Sequence, residues 1–482
     1  MKKFTIYFVQ SICLGILAIA YLPNINILAN SKILAQTTNA DQPSIIETKN
    51  STSNRLQKLL IDQNKPEAAL EISERSRNRS LVNILSDRLS SSAVTPLSTE
   101  QIKQVAKQQN STLVQYSIIN DEFNIAGKKQ TRESELYIWV IQPSGDIAFR
   151  SVDLKPLWQK QNISLADLIT KSRQSIGVSS NYTKGRIKVS PVQTTNSRDN
   201  FQKLHKLLIA PIADVLPTQA DAHIILIPQS ELFLVPFAAL KDTKGKYLIE
   251  QHTIATAPSI QALDLLYQRQ QKNQGVAKDV LIVGNPTMPS VALKPGEPPQ
   301  KVPQLPGAEK EAKQIAAIFD TQALTGDAAT ETAVIQKMPQ AKIIHLATQG
   351  AFNESQGKNI PGALALAQSN QDDGLLTSEE ILNLKLQAQL VVLSASDTAL
   401  GKITGDGVLG LSRSFFAAGV PSVIGSLWYV SDNETAFLMT EFYQKFNENP
   451  DKAAALRHAM LATMKKYPNP RNWAAFTLIG VL

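Results

Sequence analysis

From Ile224 to Ile479 the chain alternates short apolar runs with stretches of helical period, and this alternation restricts the fold more than any other feature. Ile224-Ile-Leu-Ile227, Val280-Leu-Ile-Val-Gly284, Lys342-Ile-Ile-His-Leu-Ala347, Leu390-Val-Val-Leu-Ser394 and Ser422-Val-Ile-Gly-Ser-Leu427 are apolar runs of strand length. Between and after them, residues 308–319, 330–338, 377–384, 408–418, 433–447 and 452–467 read as helices, with a last strand at 473–479. Strands apolar on both faces and separated by helices form a mostly parallel sheet covered on both sides. The expected class is α/β.

Upstream the period differs. Thr112-Leu-Val-Gln-Tyr116, Glu135–Ile141 and Ile147–Val152 are strand-like, and Pro143-Ser-Gly145-Asp146 turns the last two into an antiparallel hairpin. Residues 201–212 read as a helix, and Phe233-Leu-Val-Pro236 as an edge or loop. Earlier still, Leu56, Leu59, Leu60, Ala68, Ala69, Ile72, Leu81, Ile84 and Leu85 recur at helical spacing, broken at Asn64-Lys65-Pro66. A helix pair is expected there, with Asn64 capping the second helix and Pro66 in its first turn. Pro66–Arg75 resembles half of a tetratricopeptide (TPR) hairpin, but one hairpin needs neighbours to bury its faces, so residues 53–95 read as a TPR-like segment packed on the next domain. A polar linker is expected at 36–52, and the α/β region divides into 110–270 and 278–482. Between Asn285 and Pro306 lies a loop with seven prolines, long enough that a bare connection is not expected.

Lys2 and Lys3 precede an apolar stretch reaching Leu22, the pattern of a secretory signal, and residues 1–35 are expected to be removed after Ala35. The chain would then be periplasmic or extracellular, with a membrane tether only if the signal stays attached. Cys13, the one cysteine, leaves with it, so no disulfide contributes to stability. Loss of Lys2, Lys3 and Lys32, with no acid before residue 36, lowers the formal charge from +8 to +5. No basic stripe is interleaved with aromatics, which argues against nucleic acid. Nor do the histidines at 205, 223, 252, 345 and 458 have metal-ligand spacing, and no cofactor is implied.

A parallel sheet binds ligands beyond the carboxyl ends of its strands. Gln349-Gly350 and Ser396-Asp397 each follow such an end, and Gly350 would allow a sharp turn. These four residues are the expected lining of a cleft. Gly405-Asp-Gly407-Val-Leu-Gly410 fits a dinucleotide pattern, but the preceding strand ends about ten residues earlier, where the pattern needs it adjacent.

Residues from about Thr112 to Leu482 resemble the CHAT-domain family, caspase-like peptidases often associated with TPR repeats and frequent in cyanobacteria. The resemblance rests on Ile209-Ala-Pro-Ile212, Leu234-Val-Pro-Phe-Ala-Ala-Leu240, Leu305-Pro-Gly-Ala-Glu-Lys-Glu-Ala312, Asp373-Gly-Leu-Leu-Thr-Ser-Glu-Glu-Ile381, Gly405–Gly410, Gly425-Ser-Leu-Trp428 and Trp473-Ala-Ala-Phe476. It implies a caspase-like sheet, a His base at position 349 and a Cys nucleophile at 396. Here those positions are Gln349 and Ser396, followed by Asp397 in place of Glu. The base position thus carries a neutral amide and the nucleophile position a hydroxyl, which depends more on a base than a thiol does. His345 lies four residues back, roughly 13 Å at ~3.3 Å per residue, and reads as a buried structural histidine. The expectation is an inactive pseudopeptidase that binds a protein or peptide. The alternatives are a serine hydrolase using Ser396, and a scaffold acting through residues 53–95.

Overall fold

The computed structural model describes residues 42–89, 95–125, 127–178, 197–272, 277–291, 298–350, 362–394, 402–404 and 407–482, and residues 50–482 form one unit. Eleven strands make the main sheet: β1 (Ser111–Ile125), β2 (Lys128–Ile141), β3 (Ile147–Asp153), β4 (His223–Ile227), β5 (Thr253–Thr256), β6 (Asp279–Pro286), β7 (Leu324–Gly326), β8 (Ala341–Ala347), β9 (Leu390–Leu393), β10 (Ser422–Ser426) and β11 (Phe476–Gly480). Their order across the sheet is β3-β2-β1-β4-β5-β11-β10-β9-β8-β6-β7. Only β1 with β2, β2 with β3, and β10 with β11 pair antiparallel, so the sheet is mostly parallel as the alternating pattern predicts. Its inner strands are buried on both faces because helices cover both.

The two expected parts, 110–270 and 278–482, meet within this one sheet. Their join is short. Ile479 on β11 pairs with Thr256 on β5, and the Thr256 hydroxyl donates to the Leu478 carbonyl at 3.1 Å. On the far side, β6 and the helix Pro306–Ile318 approach closely at Gly284. A Cβ there would stand 2.3 Å from Ala312 Cβ and 2.5 Å from the Ala308 carbonyl oxygen, so only glycine fits.

The N-terminal helices differ in detail from the sequence expectation. The first described helix is Gln42–Asp62 and includes residues 42–52, expected as linker. Extending a helix costs far less than starting one, and Pro43 is tolerated in a first turn. Asn64 does not cap the next helix. It adopts a left-handed conformation, φ 56°, at the end of the first, as asparagine can, and Lys65 precedes Pro66–Arg75 without a side-chain cap.

These helices are fastened to the sheet by buried polar groups. The Arg77 guanidinium donates to the carbonyls of Pro228 (3.0 Å) and Tyr116, beyond the end of β4 and within β1. Glu74 accepts the Gln261 amide at 2.8 Å, and Asn78 donates to the Pro258 carbonyl at 2.6 Å. Burial pushes Arg77 down to about 10, against the pull of Glu74. The segment is therefore packed on the α/β body, as expected of a lone hairpin.

Other boundaries moved. The expected helix at 408–418 begins at Leu411, because 407–409 pair with 402–404 in a small hairpin. The expected strand from Trp473 begins at Phe476, after the short helix Pro470–Trp473. Of Phe233–Pro236, expected as an edge or loop, Phe233 and Leu234 belong to the short 3₁₀ helix Ser230–Leu234. The proline-rich loop contains a two-residue pairing of 290–291 with 300–301. No helix among the described residues is long and apolar enough to cross a membrane, and the apolar run before Leu22 lies outside them.

Candidate functional site

Strands β8, β9 and β10 are parallel neighbours, so their carboxyl ends open on the same side. Thr348, Ser394 and Ser426, at or just past those ends, line one cavity together with Glu311, Trp428 and Asp432. Its volume is about 30 Å³. That admits one or two waters, at roughly 10–15 Å³ each. The Ser394 hydroxyl is buried and without a hydrogen-bond partner among the described residues. Gln349 and Gly350 lie at this end of the sheet. Ser396 and Asp397 fall outside the described residues.

The Gln349 segment is held by backbone and side-chain bonds to one short strand. Its carbonyl accepts the Ala365 amide at 2.9 Å, and the buried Thr348 hydroxyl donates to the Ala365 carbonyl at 2.6 Å. Gly350 bridges antiparallel to Leu364. The described chain bends at Thr348, and Gly350 is paired with the short strand 363–365; the residues that follow Gly350 lie outside the described ones.

Beneath this end lies a buried ionisable cluster. His345 is fully enclosed: its Nδ1 is 3.1 Å from the Tyr443 hydroxyl and its Nε2 3.0 Å from a Glu311 carboxylate oxygen. The Glu311 contact has ion-pair distance but lacks the alignment of a hydrogen bond. Burial pushes the Tyr443 phenol well above its usual range, and Glu311 adds to this. Both nitrogens of His345 are thus engaged below the cleft, in agreement with its reading as a structural histidine. Sequence reasoning misses Glu311. A signal is available, because Glu311 shares its helix face with Ala308, Ala312 and Ile315, and an acid on an apolar stripe requires a buried partner.

The remaining imidazoles are placed elsewhere. His223 opens β4 and pairs with Asp451 at 2.9 Å, and His458 pairs with Glu441 at 3.5 Å. Burial lowers both His205 and His252. Among the described residues, no three His, Cys, Asp or Glu side chains are disposed to hold a metal ion. In the glycine pattern, Gly405 and Asp406 are outside the described residues, while Gly407 belongs to the small hairpin and Gly410 precedes the helix Leu411–Ala418.

The sequence model of the CHAT domain matches residues 198–481, more than half of the chain. The chain belongs to the CHAT-domain family. The match begins later than the resemblance expected from Thr112, leaving β1 to β3 outside it. Tetratricopeptide repeat protein 28 of Homo sapiens is 25% identical over 577 aligned positions, covering 92% of this chain and 22% of that protein. Its Mus musculus counterpart is 24% identical, covering 92% and 23%. The CHAT-domain chain thus spans about a fifth of the length of these relatives. Among solved structures, a chain of the Saccharomyces cerevisiae separase–securin complex aligns with a TM-score of 0.49 at 12% identity, covering 87% of this chain and 34% of that one. The Arg-specific cysteine proteinase gingipain R aligns with a TM-score of 0.37 at 10% identity, covering 67% and 75%.

Proposed function

We propose that this CHAT-domain chain is an exported pseudopeptidase that holds a protein or peptide in the cleft at the ends of β8 to β10. The observation that carries the reading is the amide at position 349, where the family has its base, with the nearest imidazole in sequence, His345, engaged by Tyr443 and Glu311. Loss of nucleophile or base in a serine peptidase costs roughly 10⁶-fold, about 8 kcal/mol of barrier, and here both positions are changed. Peptide binding needs none of that chemistry, since an amide, hydroxyls and strand-end backbone groups can hydrogen-bond an extended chain.

A fluorophosphonate probe is expected to leave the wild-type chain unlabelled. Labelling that disappears in Ser396→Ala would replace this proposal with a serine hydrolase. The double substitution Gln349→His with Ser396→Cys is expected to restore cleavage of an unfolded protein substrate, because strands β8 and β9, which precede the two positions in the chain, are retained.

A further inference from the structure

A second site lies beside this cleft. The helix Glu331–Lys337, the loop 368–373 and the helix Ser378–Asn383 border an open pocket of about 850 Å³, lined by Glu331, Asp372, Asp373 and Glu380 among neutral groups including Gln336 and Gln371. None of its described lining residues is basic. Glu331 is 3% exposed and accepts a bond from the Gly374 backbone, but its Oε2 has no hydrogen-bond partner among the described residues. An unpaired buried carboxylate oxygen carries a desolvation cost that a cation brought into the pocket would offset.

The other three carboxyls are more fully bonded within the fold. Asp372 accepts from the backbone and hydroxyl groups of Thr332 and Ser369, Asp373 from the Leu375 amide, and Glu380 from Thr377 as a helix cap. Burial would raise Asp372, but its bonds from Ser369 and Thr332 outweigh that and hold it below the usual range. Glu331 behaves oppositely: burial, then the carboxylates of Glu380, Asp372 and Asp373, push it up to about 7. No three of these groups have metal-binding geometry, so the occupant that fits is an organic cation.

Chain connectivity links the pocket to the cleft. Ala365 bonds to Gln349, Ala367 bonds to Ala329 and to the Glu331 amide, and Gln368 lines the pocket. Three extended residues from Ala365 to Gln368 span roughly 10 Å at ~3.3 Å each. We propose that this pocket receives a guanidinium or primary ammonium side chain, presented by a basic peptide lying across the cleft. The peptide rests on the proposed function; the cation site does not.

The test uses the full chain with N-acetyl-arginine amide and its neutral isostere N-acetyl-citrulline amide, followed by saturation-transfer NMR. The arginine compound is expected to bind and the citrulline compound to bind far more weakly. Glu331→Gln with Asp373→Asn should weaken arginine binding at least about tenfold, as loss of charge-assisted contacts does, while the distant Asp146→Asn leaves it unchanged. Asp373→Asn alone keeps an acceptor for Leu375 and should weaken binding about threefold, with an unaltered melting profile. Affinity should rise from pH 6 to 8 as Glu331 ionises, facing Asp372, Asp373 and Glu380, and this rise should vanish in Glu331→Gln. Equal binding of the two compounds, or wild-type affinity in the double variant, would overturn the proposal. Neither result bears on whether Ser396 is reactive, so the two readings fail separately.

Discussion

Replacing Glu311 by Leu removes one member of the buried pair that supports the ends of β8 and the neighbouring helix. His345 is 0% and Glu311 2% exposed, so water cannot replace the lost partner. Removing one partner leaves the other buried polar group without it, at a cost of about 1–3 kcal/mol. For the unit formed by residues 50–482, an unfolding entropy of roughly 2.1 cal/mol/K per residue makes each kcal/mol worth about 1 °C, so Glu311→Leu should lower the melting temperature by about 1–3 °C. The assay is a double-mutant cycle of Glu311→Leu and His345→Leu in urea, followed by tryptophan fluorescence. The double variant should be less destabilised than the two single effects added together, with a coupling of about 1 kcal/mol. Additive effects would refute the pairing and with it the account of why an acid occupies the apolar helix face.

Two further perturbations test other parts of the fold. Arg77→Met strips the carbonyls of Tyr116 and Pro228 and leaves Glu74 buried, so it should cost about 3–5 kcal/mol and make residues 53–89 susceptible to limited proteolysis; an unchanged cleavage pattern would count against the segment being fastened to the sheet. Glu331 is raised in the folded chain from 4.5 to about 7, so the stability it contributes is fully present below about pH 4.5 and is lost as pH rises through 7. Wild type should lose on the order of 3 kcal/mol relative to Glu331→Gln over that window, and a difference that does not vary with pH would contradict the raised value.

Legibility in the sequence tracks the range of the interactions. The five apolar runs from Ile224 to Leu427 form β4, β6, β8, β9 and β10, because burial on both faces writes itself into consecutive residues. Thr253–Thr256 is not recognisable as a strand from its own residues. Four residues with no long apolar run become one only because β4 and β11 flank them. The helix Ile260–Lys272 escapes the sequence reading as well, although Leu263 and Leu266 lie at helical spacing on its buried side. Gln349 stands just past a strand end as expected, but the short strand 363–365 that pairs with Gly350 has no clear local signal.

The amino-acid order alone carries the α/β class, the family resemblance and the Gln and Ser at positions 349 and 396, since these depend on residue identity and local period. What the tertiary structure decides is which distant groups share a space. Glu311 meets His345 and Tyr443 from different elements, Arg77 reaches across to β1 and β4, and Glu331 is enclosed with carboxylates some forty residues later. A charge can be buried only where several separate segments supply its partners, and no local window of sequence contains them all.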